Sequence, residues 1–178
     1  MSRKIVAGLF ISLDGVVEAP ETWHFPYMSE EMNAAIGTMT AAADTLLLGR
    51  VTYEGFAAVW PHQTGEMADQ FNSIRKLVAS TTLDKAEWQN SAVIEGDFLE
   101  AMRELKGQPG GNINLSGSLS LTRTLLAAGL LDELRLLVHP IVLGSGERLF
   151  AEGTRVPLAL TRSAALPNGV LDLSYEAA

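Results

Sequence analysis

Two short strings of the sequence share one design, and they limit the possible folds more than any other feature. Residues 45–54 and 112–119 each begin as a strand pattern that stops at a glycine, Gly49 or Gly117, and a hydroxyl residue then stands where a helix could begin. Glycine lets the backbone approach a ligand closely, and a helix N-terminus presents unpaired N–H groups and a partial positive charge. Two such ends on one sheet could hold the phosphates of a dinucleotide, so the strings predict an enzyme with a nucleotide cofactor.

The composition narrows the classes of protein to which the chain can belong. A length of 178 residues suits one domain spanning residues 1–178, and a net charge of −8 argues against a nucleic-acid-binding surface. The absence of cysteine removes thiolate chemistry, and three histidines without metal-ligand spacing predict no metal. The sequence enters a strand pattern almost at once and has no apolar stretch long enough for a bilayer. We therefore expect a cytoplasmic protein with no membrane partner.

Short apolar runs alternate with helical patterns through most of the chain. Ser29 suits the N-cap of a helix that runs from residue 30 to about residue 43, with two acidic residues in its first turn. Asp97 suits the N-cap of a second helix, and Ser118 that of a third, which Gly129 ends. This alternation predicts an α/β fold with a mainly parallel, doubly wound sheet.

The C-terminal third has a different character. No strong helical pattern follows Gly129, and residues 170–175 alternate between apolar and polar side chains, as an antiparallel strand with one exposed face does. The sheet should therefore end in an antiparallel portion. Residues 134–138 and 170–175 supply apolar strand surface that no later helix can cover. Burial in a homodimer is one solution, and packing against the earlier helices is the other.

The order of the elements and the Gly-Arg-x-Thr-Tyr-Glu string at residues 49–54 resemble the dihydrofolate reductase superfamily. Ser-Leu-Asp-Gly at 12–15, Ser-Gly-Ser-Leu at 116–119 and His-Pro-Ile-Val-Leu-Gly-Ser-Gly at 139–146 resemble its RibD C-terminal reductase branch, over nearly the whole chain. The resemblance implies a dihydrofolate reductase-like fold, an NADPH-dependent reductase and often a homodimer. Because the sequence has no cysteine, we expect no zinc deaminase domain of the kind that accompanies many RibD reductases.

The resemblance also implies which residues bind NADPH. Three glycine or hydroxyl positions after successive strands match the family's cofactor elements, and one arginine offers a fork for a phosphate. Without a ligand, the same residues would form an ordinary strand-to-helix turn, a polar loop and a simple N-cap. The matching residues are Gly49, Arg50, Thr52, Ser80, Thr81, Gly117, Ser118 and Leu119.

The substrate side is predicted from five residues, each with a structural alternative. Asp14 could act as a catalytic carboxylate that orients the substrate, or it could belong to a simple Asp-Gly turn. Trp23 and Phe25 could line a pocket or pack against the first long helix. Glu30 could take the place of the acid that meets the pterin in dihydrofolate reductases, or it could serve the helix dipole. His139 could contact substrate or be structural.

Competing nucleotide-binding motifs are missing from the sequence. No Gly-x-Gly-x-x-Gly follows the first strand, and no Walker A string occurs. The leading hypothesis is hydride transfer from NADPH to a small heterocycle, by resemblance a riboflavin-pathway aminopyrimidine such as 5-amino-6-(5-phosphoribosylamino)uracil. Val16 stands where RibD enzymes typically have a lysine, which weakens the case for a ribosyl phosphate. Dihydrofolate reduction and a catalytically inactive nucleotide-binding module stay open as alternatives.

Overall fold

The computed structural model describes residues 3–178. The strands are β1 (Ile5–Ser12), β2 (Ala43–Gly49), β3 (Arg75–Ala79), β4 (Ser91–Val93), β5 (Asn112–Ser116), β6 (Glu133–His139), β7 (Leu158–Ala165) and β8 (Leu171–Ala177). The α-helices are α1 (Glu30–Thr40), α2 (Arg50–Val59), α3 (Glu66–Ser73), α4 (Phe98–Gly107) and α5 (Leu119–Ala127), and short 3-10 helices cover Pro20–Thr22, Phe25–Tyr27 and Trp60–His62.

All eight strands join one sheet in the order β4-β3-β2-β5-β1-β6-β8-β7. Strand β8 runs antiparallel to β6 and β7, and the other neighbours are parallel. This confirms the predicted mainly parallel sheet with an antiparallel C-terminal portion. Among residues 3–178, no helix is both long and apolar enough to cross a bilayer.

Helices cover both faces of the sheet, so its central strands are apolar on both sides. Alternate residues of β1, from Ile5 to Ile11, pack in the large core that contains residues of α4 and α5. Phe10, on the opposite face of β1, packs with Met32 and Ala35 of α1. This two-sided burial explains why the early strands have continuous apolar runs.

Two predicted helix caps are confirmed. The Ser29 hydroxyl accepts a hydrogen bond from the Met32 N–H at 3.1 Å, and the Asp97 carboxylate accepts one from the Glu100 N–H at 2.9 Å. Each bond satisfies a donor that the first turn of a helix leaves unpaired.

The predicted end of the first helix is wrong. We expected it near Ala43, but α1 ends at Thr40 and Ala43 begins β2. Alanine favours a helix, yet here the Ala42 carbonyl accepts a hydrogen bond from the Asn112 N–H at 2.7 Å. Pairing with β5 therefore overrides the local helix preference.

Helix α3 has no counterpart among the predicted elements, because Ala68 is its one buried residue. Its C-terminal end is held by Lys76, which is fully buried in β3. The Lys76 ammonium donates hydrogen bonds to the carbonyls of Phe71, Asn72 and Ile74 at 2.6, 3.2 and 2.8 Å. A buried charge is tolerated here because its donors are satisfied.

Strand β7 forms one edge of the sheet and is largely exposed. A β-bulge interrupts its pairing with β8 between Leu160 and Arg162. The Arg162 guanidinium reaches the buried carboxylate of Asp172 at 3.1 Å, and Arg135 on β6 pairs with the same carboxylate at 2.6 Å. The bulge thus interrupts a regular edge and turns a charged side chain onto the sheet.

Candidate cofactor and substrate site

The predicted site residues gather at the edge formed by the carboxyl ends of the parallel strands. Gly49 ends β2, Gly117 follows β5, Ser80 follows β3, Asp14 follows β1 and His139 ends β6. From β1 the chain crosses to β2 on one side, and from β5 it crosses to β6 on the other. Ligands of open α/β sheets bind in the crevice at such a reversal.

The turns after β2 and β5 interlock through two glycines and two hydroxyl residues. A Cβ atom placed on Gly49 would lie 2.5 Å from the Ser118 hydroxyl oxygen. A Cβ atom on Gly117 would lie 3.1 Å from the Thr52 hydroxyl oxygen, and Gly117 also has a φ of +76°. Each glycine therefore leaves room for the hydroxyl residue of the other turn, and the N-termini of α2 and α5 lie side by side.

No side-chain hydrogen bond caps either of these helix N-termini. Gly49 occupies the N-cap position of α2, so Thr52, expected to offer a cap, lies instead inside the first turn. Ser118 occupies the N-cap position of α5 as predicted, but its hydroxyl makes no capping bond. Helix α3 also lacks a side-chain cap, but it does not follow a strand. The first-turn N–H groups of α2 and α5 can therefore receive an anion at the sheet edge.

Polar groups flank the paired helix ends. Arg50 is about half exposed and pairs with Glu54 one turn later at 3.2 Å, a surface contact that is weak and easily exchanged. The Ser80 hydroxyl accepts hydrogen bonds from the N–H groups of Thr82 and Leu83 at 3.1 and 2.9 Å, while Thr81 is exposed. These residues place one guanidinium and several hydroxyls beside the N-terminus of α2.

Asp14 is engaged by the protein itself. Its carboxylate accepts hydrogen bonds from the Ser12 hydroxyl at 2.6 Å and from the N–H groups of Leu143 and Gly144 at 3.1 and 2.9 Å. These bonds lower the pKa of Asp14 from 3.8 to about 2, the Ser12 bond having the largest effect. Asp14 thus ties the loop after β1 to the loop after β6, and its catalytic role stays a prediction.

The two tied loops line a small open cavity of about 280 Å³. A second tie crosses its rim, where the Glu147 N–H donates to the Glu18 carboxylate at 2.9 Å. Trp23 lines the cavity, whereas Phe25 and Glu30 do not line it and are exposed. The lining residues are Val16, Glu18, Ala19, Thr22, Trp23, Leu143, Ser145 and Gly146.

His139 lies behind this cavity and has no exposed surface. Its ring centroid is 5.1 Å from that of Trp23, 5.3 Å from that of Tyr27 and 5.6 Å from that of Phe10. Nδ1 lies 2.8 Å from the Leu137 carbonyl oxygen, and burial lowers the pKa of the imidazole. Among the described residues, Nε2 has no hydrogen-bond partner.

Sequence reasoning missed two features of this edge. The N–H groups of Leu143 and Gly144 donate hydrogen bonds to the Asp14 carboxylate. In the sequence, this contact was indicated only by a glycine-rich string. His24 stacks on Phe10 with a centroid distance of 4.7 Å, and no local pattern indicated this contact. The rings around His139 form one aromatic cluster, which consists of Phe10, Trp23, His24, Tyr27 and His139. A larger cavity of about 630 Å³ beside α2 contains none of the predicted site residues.

Comparison with known proteins places the fold. The fold is of the dihydrofolate reductase-like class. The dihydrofolate reductase of Enterococcus faecalis, solved in complex with NADP(H), matches with a TM-score of 0.64 and 17% identity over 99% of both chains. A protein from Shewanella sp. PV-4, provisionally named for riboflavin biosynthesis, matches with a TM-score of 0.76 and 18% identity over 100% of this chain and 99% of its own. At such identities the likeness shows the fold alone.

The family is shown by sequence. The profile of the RibD C-terminal domain matches residues 3–171, so the chain belongs to this family. The uncharacterized protein YyaP of Bacillus subtilis (strain 168) is 29% identical over 180 residues, which cover 97% of this chain and 94% of YyaP. The predicted family is therefore confirmed, and the family match together with the fold supports a protein of the reductase type.

Proposed function

We propose that the protein is an NADPH-dependent reductase that transfers hydride to a small heterocycle, an aminopyrimidine of the riboflavin-pathway type. The observation that carries the proposal is the pair of uncapped helix N-termini at the ends of the neighbouring strands β2 and β5. Two adjacent helix ends match the two phosphates of a dinucleotide, since each offers free N–H groups and partial positive charge.

The residues at this edge fit the cofactor. The first turns of α2 and α5 would hold the pyrophosphate, and Gly117 lets the two turns lie close together, because an added Cβ atom would lie 3.1 Å from the Thr52 hydroxyl oxygen. Arg50 and the hydroxyls of Ser80 and Thr81 would meet the 2′-phosphate through charge-assisted and neutral hydrogen bonds. Bound NADPH supplies the hydride, while the chain orients the nicotinamide and keeps water away from it.

The cavity beside Trp23 supports a substrate position next to the cofactor. Its walls come from the loops after β1 and β6, and β1 is the neighbour of β5. A volume of about 280 Å³ suits a single small ring system. Glu18, Thr22 and Ser145 supply acceptor oxygens, and among residues 3–178 no lysine or arginine lines the cavity. Acceptors suit the amino groups of an aminopyrimidine, with Trp23 as an apolar wall.

Cofactor titration is the first test. We expect NADPH to bind more tightly than NADH when both are titrated by nicotinamide fluorescence at one ionic strength, because the 2′-phosphate adds contacts. Equal dissociation constants would remove the argument from Arg50 and Ser80.

Turnover separates an enzyme from a nucleotide-binding module. NADPH oxidation should be followed with aminopyrimidines that carry a ribosyl phosphate, with their dephosphorylated forms and with dihydrofolate. We expect turnover with an aminopyrimidine. Tight NADPH binding without turnover of any of these substrates would favour the inactive module.

We also propose that the protein is a homodimer built on its antiparallel strands. Leu160 and Leu171 on β7 and β8 are 54% and 40% exposed, and Phe150, in the segment between β6 and β7, is 41% exposed. Burying this apolar surface against a second copy would remove it from water. In light scattering, Leu160→Arg should shift the mass toward the 19.1 kDa monomer, whereas Met67→Arg, a change of an equally apolar exposed residue on α3, should not. A wild-type monomer at micromolar concentration would refute the dimer.

A further inference from the structure

His139 combines complete burial with an unpaired ring nitrogen. It is fully buried, and Nε2 has no hydrogen-bond partner among the described residues. Buried polar atoms are normally paired, so an unpaired one calls for a reason. His24, which is 8% exposed, has an unpaired Nδ1 in the same cluster, with its ring centroid 6.4 Å from that of His139.

The cluster attaches the segment from Trp23 to Tyr27 to the sheet. His139 contacts the rings of Trp23 and Tyr27 at one end of β6, in edge-to-face geometry with interplanar angles of 88° and 85°. On its other side, the Trp23 indole N–H donates to the Glu18 carbonyl at 3.0 Å. Trp23 is therefore held between His139 and the loop after β1, and it is Trp23 that lines the cavity.

A neutral imidazole suits this position, and a charged one does not. When neutral, His139 can donate from Nδ1 to the Leu137 carbonyl. A second proton would put an N–H at the unpaired Nε2 and a positive charge among aromatic rings. Burial lowers the pKa of His139 more than the carbonyls of Leu137 and Ile11 raise it. Because a buried charge is costly, protonation would weaken the packing of the cluster.

The charged groups around the cluster do not stabilise a positive charge on His139. The pKa of His24 is also lowered, first by burial and then by the charge of His139, while Glu21 acts in the opposite direction. Arg135, Asp172 and Arg162 lie farther along the same sheet face and pair with one another. From α1, the cluster meets apolar side chains such as Met32.

We propose that His139 is a positioning residue, which holds Trp23 as the wall of the substrate cavity while its imidazole is neutral and releases that wall when the imidazole is protonated. The proposal rests on the proposed function only in taking this cavity as the substrate side. Cofactor binding at α2 and α5 does not depend on it. The cavity would thus be formed at neutral pH and lose its wall in acid, before the protein as a whole unfolds.

The test follows Trp23 and His139 in the intact protein. Incorporation of 5-fluorotryptophan gives separate ¹⁹F resonances for Trp23, Trp60 and Trp88, assigned by Trp→Phe variants. Imidazole resonances are titrated in the same samples from neutral pH to the onset of unfolding. We expect the Trp23 resonance alone to shift, with the midpoint of His139. A Trp23 resonance that stays constant while His139 titrates, or that moves only together with the other two, overturns the proposal.

Variants identify the responsible imidazole. In His139→Phe, or in His139→Gln if the larger ring is not accommodated, the pH-dependent shift of Trp23 should disappear. His24→Phe should leave a shift that follows His139, and His62→Gln, a change of the exposed histidine, should leave it unaltered. A Trp23 shift that persists without His139, or that follows His24, refutes the assignment. NADPH titration of the same samples reports separately on the proposed function.

Discussion

The helix N-termini at the carboxyl edge of the sheet are of two kinds. Those of α1 and α4 are closed by the chain's own oxygens, from Ser29 and Asp97. Those of α2 and α5 have no side-chain cap and begin beside Gly49 and Gly117. A cap contributes about 1 kcal/mol to stability, so the chain leaves out this contribution at the two helix ends that face the proposed cofactor. The difference separates helix ends that stabilise the fold from those that can bind a ligand.

The loop after β6 resembles the closed helix ends, because a side chain of the protein accepts hydrogen bonds from its N–H groups. Its N–H groups at Leu143 and Gly144 are filled by the carboxylate of Asp14, an internal anion. The same edge of the sheet thus holds both filled and open N–H groups. Four predictions test whether this distinction is functional.

The largest effect is expected for Gly117→Val. The side chain would enter the space between the two helix ends and weaken NADPH binding by more than about tenfold, which is about 1.4 kcal/mol. Gly129→Val is the matched control, since Gly129 has a φ of +65° but nothing within 4 Å of an added Cβ. Both variants should lose stability through backbone strain, checked by circular dichroism, and only Gly117→Val should lose affinity. Equal affinities would mean that the open ends do not hold the cofactor.

Gly49→Ala tests the interlock itself. With a φ of −76° the backbone accepts alanine, but its Cβ would lie 2.5 Å from the Ser118 hydroxyl oxygen. We expect a loss of about 1–3 kcal/mol in the free energy of unfolding, measured with urea. Adding Ser118→Ala removes that oxygen and should restore part of the loss. Strictly additive effects would show that the two turns do not press on each other.

The filled ends should respond in the opposite way. Ser29→Ala and Asp97→Ala should each lower the free energy of unfolding by about 1 kcal/mol and leave the NADPH dissociation constant unchanged. Ser118→Ala, at an N-cap position that makes no capping bond, should change stability by less than about 0.5 kcal/mol. A stability loss at Ser118 as large as that at Ser29 would erase the distinction.

The smallest effect is expected for Asp14→Asn, and it is identified by its pH dependence, because the stability difference from the wild type is full at neutral pH and shrinks in acid. Folding lowers the pKa of Asp14 from 3.8 to about 2, so the carboxylate stabilises the fold fully above 3.8. That contribution is lost as the pH falls toward about 2. Urea unfolding across this range should therefore show a shallower acid-induced loss in Asp14→Asn than in the wild type. Parallel curves would mean that Asp14 is not held in the way described.

The sequence was informative wherever a signal is local. The caps at Ser29 and Asp97 depend on residues three positions apart, and both were predicted correctly. The parallel sheet followed from alternating patterns, and the family followed from strings spread along the chain. The helix end at Ala43 was missed because its competitor, Asn112, lies on another strand.

The geometry of the candidate site needed the fold. The contact between Gly49 and Ser118 joins residues far apart in the chain, and Asp14 meets Leu143 across 129 positions. Nothing near His139 in the sequence indicates that it is buried among rings from another loop. The roles assigned to these residues in cofactor and substrate binding stay predictions.

The irregular edge strand β7 bears on how the protein behaves when concentrated. A long exposed edge offers unpaired backbone groups to a neighbour and can start open-ended association of sheets. In β7 the bulge between Leu160 and Arg162 breaks the even spacing of those groups, and Arg162 brings a charge that would be costly to enclose. Indefinite stacking of chains is therefore disfavoured along this strand, even though it carries exposed apolar side chains such as Leu160.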